Sequence, residues 1–307
     1  MARATEKHRW LGPPSRAALL RPASGVDPAQ QIRELVGNAW VDEIVVEAPL
    51  APETLARCIQ ASRQAGRPLR IDGPIPAPQL PEALPNERWV YRKTNGKSSS
   101  ILTGRQRGIE RLLKRLLDLA VALPLTVLLI PAFIGIALAV RFSSPGPILY
   151  RWRVLGRNGR PFTGYKFRTM VRDADSLKVH LLDRNEMLGP VFKLTDDPRV
   201  TPIGRWLRRY SLDELPQLWN VIRGDMSLVG PRPVFRDEYR QFELWQMRKL
   251  SVTPGVTCLW QVNGRNTIKG LADWVRLDLS YIDRWSLFLD FKILAHTVPA
   301  VVKGTGV

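Results

Sequence analysis

The sequence predicts a mixed α/β (α+β) protein that carries a membrane-embedded helical segment, and three observations lead there. A run of 22 residues without a single charge, 119–140, interrupts an otherwise basic chain. A strand–helix–strand pattern precedes it over residues 41–71. Behind it, residues 142–307 mix helix-like and strand-like stretches dense in Arg and Trp.

Taken in order, residues 1–30 are basic, broken by Pro and Gly, and read as a disordered tail. They lack the unbroken apolar core of a secretory signal. Residues 41–46 read as a short buried strand, 52–64 as a helix with Pro52 in its first turn, and 67–71 as a second strand. Residues 31–75 thus form a βαβ-like unit, a partial doubly wound (Rossmann-like) module without a Gly-rich phosphate loop. Residues 76–106, rich in Pro, Ser and basic side chains, read as a linker.

Residues 107–141 hold the membrane segment. As a straight helix the apolar run would be about 33 Å long, enough for a hydrocarbon core of ~30 Å. Pro124 lies near its start and Pro131 near its middle, and each removes a backbone hydrogen bond. Arg105, Arg107, Arg111, Lys114 and Arg115 lie upstream; Arg141, Arg151, Arg153, Arg157 and Arg160 lie downstream. Positive flanks favour the cytoplasmic side, so both ends ask for the same side. A re-entrant helix broken at Ile130-Pro131 satisfies both flanks. A single spanning helix is the other reading the residues allow, because Pro is tolerated in such helices.

The chain carries 46 Lys and Arg against 28 Asp and Glu, a net charge of +18. With 45% hydrophobic residues it is too apolar for a disordered polycation. The charge asks for an anionic partner: nucleic acid, an acidic membrane, or a phosphorylated substrate. No nucleic-acid motif accompanies it, and the apolar segment argues against that partner. Two Cys and three His exclude a disulfide scaffold and speak against structural zinc.

The densest chemistry lies in residues 195–233, with Asp213-Glu214 at the centre. Ser211 and Glu214 are spaced as a capping box, and Pro216 suits a first helical turn or the residue before it. Either reading puts Asp213 near a helix start, where the positive dipole end favours a carboxylate and a nearby phosphate. An acidic pair alone reads as a solvated helix start. Here Arg205, Arg208 and Arg209 precede it, Arg232 follows between two prolines, and Lys166, Arg168 and Arg265 lie in neighbouring motifs. Arg forks bind phosphate oxygens bidentately. Hard carboxylate oxygens suit Mg²⁺. Together these are the parts of a phosphoryl-transfer site. Asp196-Asp197, followed by Pro198, reads as a turn.

From about residue 107 to the C-terminus, the chain resembles the bacterial sugar transferase family, the monotopic polyprenyl-phosphate phosphoglycosyl transferases. The likeness rests on the basic start with Asp118, the apolar hairpin and Ser144-Pro145-Gly146-Pro147. It continues through residues 166–170, 211–233, 254–257, 260–265, 278–281 and 285–287. The resemblance implies transfer of a sugar-1-phosphate from a UDP-sugar to polyprenyl (undecaprenyl) phosphate, with release of UMP. This is the first membrane step of exopolysaccharide, capsule or O-antigen (lipopolysaccharide) synthesis. It implies Asp213 as the nucleophile of a covalent phosphosugar intermediate. Glu214 would hold Mg²⁺ with Asp213 or assist proton transfer, and Lys166, Arg168, Arg208, Arg232 and Arg265 would bind phosphate.

It also implies a re-entrant hairpin, a bacterial inner-membrane location, a catalytic domain (142–307) on the cytoplasmic face, and contact with anionic lipid. No strong general base is required, which suits three His outside every motif. The chain departs from the family in having Ile130 where Ser precedes the hairpin Pro, and Cys258 where Gly is usual. It also lacks the four spans of long members. The shortened N-terminal module suggests regulation or homo-oligomer contacts. Residues 283–297 suit an interfacial amphipathic helix, and specificity is expected in loops 180–195 and 262–275. The rival reading is a non-catalytic membrane-bound scaffold for glycan-assembly enzymes.

Overall fold

The first hundred or so residues build a six-stranded sheet, not the short βαβ unit alone. The computed structural model describes residues 4–7, 15–22, 26–73, 87–94, 97–104, 108–187, 191–262, 268 and 270–304. The chain divides into two units, and the first takes residues 1–111 together with 157–161 and 239–251. Its strands are β1 (Ala4–Lys7), β2 (Ser15–Leu20), β3 (Glu43–Glu47), β4 (Leu69–Asp72), β5 (Glu87–Thr94) and β6 (Lys97–Gly104). They lie in the order β1-β2-β3-β4-β6-β5. β2, β3 and β4 are parallel, while β1 and the β5–β6 pair add antiparallel strands at the two sides.

The parallel strands are joined by α1 (Pro28–Asn38) and α2 (Pro52–Ala65). Asp27 caps α1 by accepting from Ala29 N at 3.0 Å, and Pro28 sits in the first turn. α2 ends at Gly66, whose φ of 63° a side chain would resist. Ile32, Val36, Leu55 and Ile59 join Ile44, Val46, Leu69 and Ile71 in the core of this unit. The two helices pack on each other, and the strand order steps one way. The described sheet therefore has no switch point, the crevice where doubly wound sheets bind ligands.

Two expectations are corrected here. Residues 4–7 and 15–20 are strands although the tail reads as disordered, and 87–104 are a paired hairpin although 76–106 reads as a linker. These strands lie toward the sheet edges, where Lys, Arg and Ser are favoured because they discourage further pairing, so composition mimics a loop. The expected domain 142–307 is also not continuous. Asn158 (φ 57°) and Gly159 (φ 82°) make a turn suited to a β-hairpin. Val41 N donates to Asn158 O (3.3 Å), and Asn158 Nδ2 donates to Asp42 Oδ1 (2.8 Å). The buried Arg67 donates to Ala65 O and Tyr239 Oη, and Arg33 Nε donates to Phe242 O. Tyr239, Phe242, Met247 and Leu250 are fully buried.

The second unit takes residues 112–156, 162–238 and 252–307. Its helices begin with α3 (Gly108–Leu128) and α4 (Ile130–Ser143), followed by the paired strands β7 (Leu149–Leu155) and β8 (Pro161–Phe167). Then come α5 (Ala174–Lys178), α6 (Pro202–Arg209), α7 (Gln217–Arg223), β9 (Ser227–Val229) and α8 (Arg236–Arg240). β10 (Gly255–Thr257) pairs with β9 in parallel, and α9 (Leu259–Val262), α10 (Leu271–Asp283) and α11 (Leu287–Val302) close the chain. Ala122, Val221, Met226, Val229, Tyr281 and Ile293 form one core of this unit.

α3 and α4 meet at Leu129 with a bend of 61°. Among the described residues no single helix is long and apolar enough to cross a membrane, but the bent pair meets the requirement together. The break falls where Pro131 has no N–H to donate, while Leu129 N and Phe133 N still reach Leu125 O and Leu129 O. Pro124 lies inside α3. Val127, Leu128, Ile130, Ile134, Leu138 and Phe142 are exposed along the pair, an apolar surface far beyond scattered single residues.

The first arm, α3, is fastened by charged side chains. Lys114 Nζ lies 2.6 Å from Asp290 Oδ2. Arg115 donates to Val221 O and Ile222 O (2.5 and 2.7 Å), carbonyls in the last turn of α7. Buried Asp118 accepts from Ser227 Oγ (2.9 Å) and Leu228 N (3.0 Å). Lys114 and Arg115 thus serve protein contacts, although as flanking charges they read as facing lipid headgroups.

Candidate active site

Four local structures bring the predicted residues together. Lys166 is the penultimate residue of β8. Fully buried Asn220 on α7 donates to Thr163 O (2.7 Å) and accepts from Tyr165 N (3.2 Å), tying that strand to the helix. The 3-10 turn Leu212–Glu214, just ahead of α7, carries Asp213 and Glu214. Arg208 lies in the last turn of α6. Arg232 lies in the loop after β9, where Gly230 N donates to Thr257 O (3.0 Å) and Gly255 N to Pro231 O (2.9 Å). Gly230 and Gly255 approach so closely that a Cβ on either would strike the other's backbone.

Their electrostatics confirm the proximity. Burial lowers the pKa of Lys166; the charges of Asp213 and Glu214 oppose this, and Arg208 and Arg232 reinforce it. The Lys166 ammonium lies 5.4 Å from the Tyr150 ring centroid and 5.3 Å from that of Trp152, within cation–π range. Burial also lowers the pKa of Arg208, opposed by Asp213 and Asp197 and reinforced by Arg199 and Arg232. Asp213 is 7% exposed. One buried carboxylate therefore sits among three cations, with a second carboxylate beside it, and the cluster keeps a positive balance suited to an incoming phosphate.

Residues 109–304 match the family described as bacterial sugar transferase. The chain belongs to the bacterial sugar transferase family. It is 47% identical over 194 residues to the galactosyl transferase CpsE of Streptococcus agalactiae serotype III, covering 63% of this chain and 43% of that protein. It is 42% identical over 208 residues to the exopolysaccharide production protein ExoY of Rhizobium meliloti, covering 66% and 92%. It is 39% identical over 198 residues to the UDP-glucose:undecaprenyl-phosphate glucose-1-phosphate transferase of Escherichia coli K12, covering 62% and 40%. The chain thus spans less than half of CpsE and most of ExoY.

Within this sugar transferase, several sequence expectations change. Ser211 does not form a capping box: it is left-handed (φ 53°, ψ 22°) with no side-chain cap, and α7 starts only at Gln217. Asp213 therefore lies in a tight 3-10 turn and not in the first turn of an α-helix. A non-Gly residue in this region carries a local penalty of roughly 1 kcal/mol, accepted here beside the buried carboxylate. Arg168 does not join the cluster. Its guanidinium donates to Pro145 O, Val140 O and Ser144 O, closing the C-terminal end of α4. Its motif neighbour Lys166 points into the site because side chains alternate across a strand, but position 168 lies past the end of β8.

Arg265 lies outside the described residues. Asp197 pairs with Arg199 (2.6 Å) in a buried turn, as the sequence suggests. The hydrophobic cluster of Met187, Cys258, Trp260 and Trp274, with Val191 and Ile268 against it, joins the two loops expected to set specificity. Sequence reasoning missed Thr169, which accepts from Arg208 Nε at 2.9 Å.

Proposed function

We propose that this protein transfers a sugar-1-phosphate from a UDP-sugar to polyprenyl phosphate at a bacterial inner membrane, with the second unit on the cytoplasmic face. The observation that supports it is the clustering of Asp213 and Glu214 with Lys166, Arg208 and Arg232 inside the region matched to the family. In the first step the Asp213 carboxylate attacks the sugar-bearing phosphorus. A P–O bond forms, the diphosphate bridge breaks, and UMP leaves with the bridging oxygen. In the second, an oxyanion of polyprenyl phosphate attacks the acyl phosphate, releasing polyprenyl diphosphate-sugar and restoring the carboxylate. Lys166, Arg208 and Arg232 hold the phosphate oxygens through both steps.

Among the described residues no group of three or more His, Cys, Asp or Glu side chains could hold a metal ion. Mg²⁺ is commonly held by one or two carboxylates together with substrate phosphates and water. The adjacent carboxylates of Asp213 and Glu214 fit such a shared ion, which would neutralise charge on the diphosphate. The bent α3–α4 pair is read as re-entrant, with both arms returning to the cytoplasmic side. α11 exposes Phe288, Phe291, Val298 and Val302 along one stripe, which supports an interfacial helix.

Incubating the protein with undecaprenyl phosphate, Mg²⁺ and a panel of UDP-sugars should release UMP with at least one of them. No UMP across the panel would favour the scaffold reading. A second expectation concerns Lys166. Between its lowered pKa and the usual 10.5, the free protein carries a neutral amine, and a bound phosphate restores the ammonium. Substrate binding in that window should therefore take up a proton. Calorimetry in two buffers of different ionisation enthalpy measures this, and Lys166→Met should remove it. In the same window the unfolded chain holds more protons than the folded one, so this residue's contribution to stability rises with pH. Proton-neutral binding in the wild type would contradict the assignment.

A further inference from the structure

We infer that Thr169 is a positioning residue that aims the Arg208 guanidinium at the phosphates, through a hydrogen bond on Nε that leaves both terminal nitrogens for the substrate. The inference rests on the phosphate role proposed for Arg208. Thr169 lies two residues past β8 and is 3% exposed. Its hydroxyl accepts from Arg208 Nε at 2.9 Å.

The same residue also holds the other end of α6. Its carbonyl accepts from Thr201 N (2.9 Å), and Thr201 Oγ1 caps the helix by accepting from Gly204 N (3.0 Å). Gly204 packs flush on Thr169, and a Cβ there would collide with the Thr169 carbonyl. Around this point the chain runs as a short antiparallel contact, with Met170 bridged to Val200 and Val171 N donating to Arg199 O (2.9 Å). α6 is thus fixed at its first turn by the backbone of Thr169 and at its last turn by the side chain.

This geometry matters because a guanidinium has five N–H groups in a rigid fork. An arginine held only by its flexible stem samples many rotamers. One held at Nε presents its two terminal nitrogens as a fixed pair, the geometry that binds phosphate bidentately. Arg208 has the Thr169 hydroxyl at Nε and lies in the field of Asp213. The hydroxyl neither neutralises nor competes with a phosphate, as a carboxylate at that position would. Thr169 therefore orients the cation without lowering its affinity for an anion.

Hydrogen bonds to charged groups lead us to expect Thr169→Val to lower kcat/KM for the UDP-sugar roughly 10- to 100-fold. Thr169→Ser, which keeps the hydroxyl, should stay within about threefold of wild type. Combining Thr169→Val with Arg208→Ala should cost little beyond Arg208→Ala alone, because the hydroxyl acts only through that arginine. A loss for Ser as large as that for Val would show that keeping the hydroxyl is not what preserves activity, and additive losses would separate Thr169 from Arg208; either overturns the inference. Should Thr169→Val fail to fold, Thr169→Ala and its cycle with Arg208→Ala, read beside Thr169→Ser and thermal melts, still decide. Full activity in Arg208→Ala would remove the phosphate role and this inference with it. A crippled Arg208→Ala beside an unaffected Thr169→Val would remove this inference alone.

Discussion

Asp213→Asn is expected to abolish sugar-phosphate transfer, with a loss on the order of 10⁴-fold or more, as for other removed nucleophiles. The amide is nearly isosteric, so the buried 3-10 turn should keep its shape, but it cannot form the acyl phosphate. Two readouts separate this from a folding defect. Wild-type protein incubated with a UDP-sugar labelled in its sugar-bearing phosphate should retain label after denaturation, and the variant should not. Its thermal melt should stay close to wild type. Normal turnover by Asp213→Asn would sink the nucleophile assignment. Glu214→Gln should leave more residual activity, because Glu214 is only half-buried and supports the dyad without itself attacking phosphorus.

The largest expected effect on stability is at Asp290, far from Asp213 in sequence. Its carboxylate is fully buried, is 2.6 Å from Lys114 Nζ, and accepts from Tyr281 Oη (2.7 Å) and Trp285 Nε1 (3.2 Å). Burial, and next the Asp290 charge, pushes the Tyr281 phenol well above its ordinary range, so its proton stays in place to donate. Asp290→Ala leaves a cation, a phenol and an indole without their common acceptor. Breaking a buried pair this way costs about 3–5 kcal/mol, a large share of a stability of roughly 5–15 kcal/mol. Denaturant melts in detergent should show it, and Asp290→Asn, which keeps an acceptor, should lose less. A change below about 1 kcal/mol for Asp290→Ala would mean that α3 is held by other contacts.

Much of the site was legible because its signals are local. The acidic pair, the prolines around Arg232 and the Lys166 motif are dense short patterns, and the structure brings their side chains together. What escaped were features set by tertiary contact. Arg168 looks like a phosphate ligand by motif, but its surroundings are the carbonyls at the end of α4. Ser211 has capping-box spacing, but its left-handed backbone excludes the cap. Thr169 carries no charge, so nothing in the sequence marks it before α6 is seen against it. The N-terminal strands escaped for another reason: edge-strand chemistry and loop chemistry use the same residues. The apolar segment is legible from its uncharged run alone, and the prolines mark Ile130-Pro131, next to the bend at Leu129.

The fastening of the bent helical pair has a mechanical consequence. Arg115 holds the end of α7, whose start follows Glu214; Asp118 holds β9, which leads into Arg232; Arg168, two residues beyond Lys166, holds the end of α4. Each anchor thus bears on an element that adjoins one of the charged groups of the cluster. Displacing either arm of the pair would load these three anchors first. The contacts that seat the apolar pair and the elements that space the carboxylate and cations therefore share one frame.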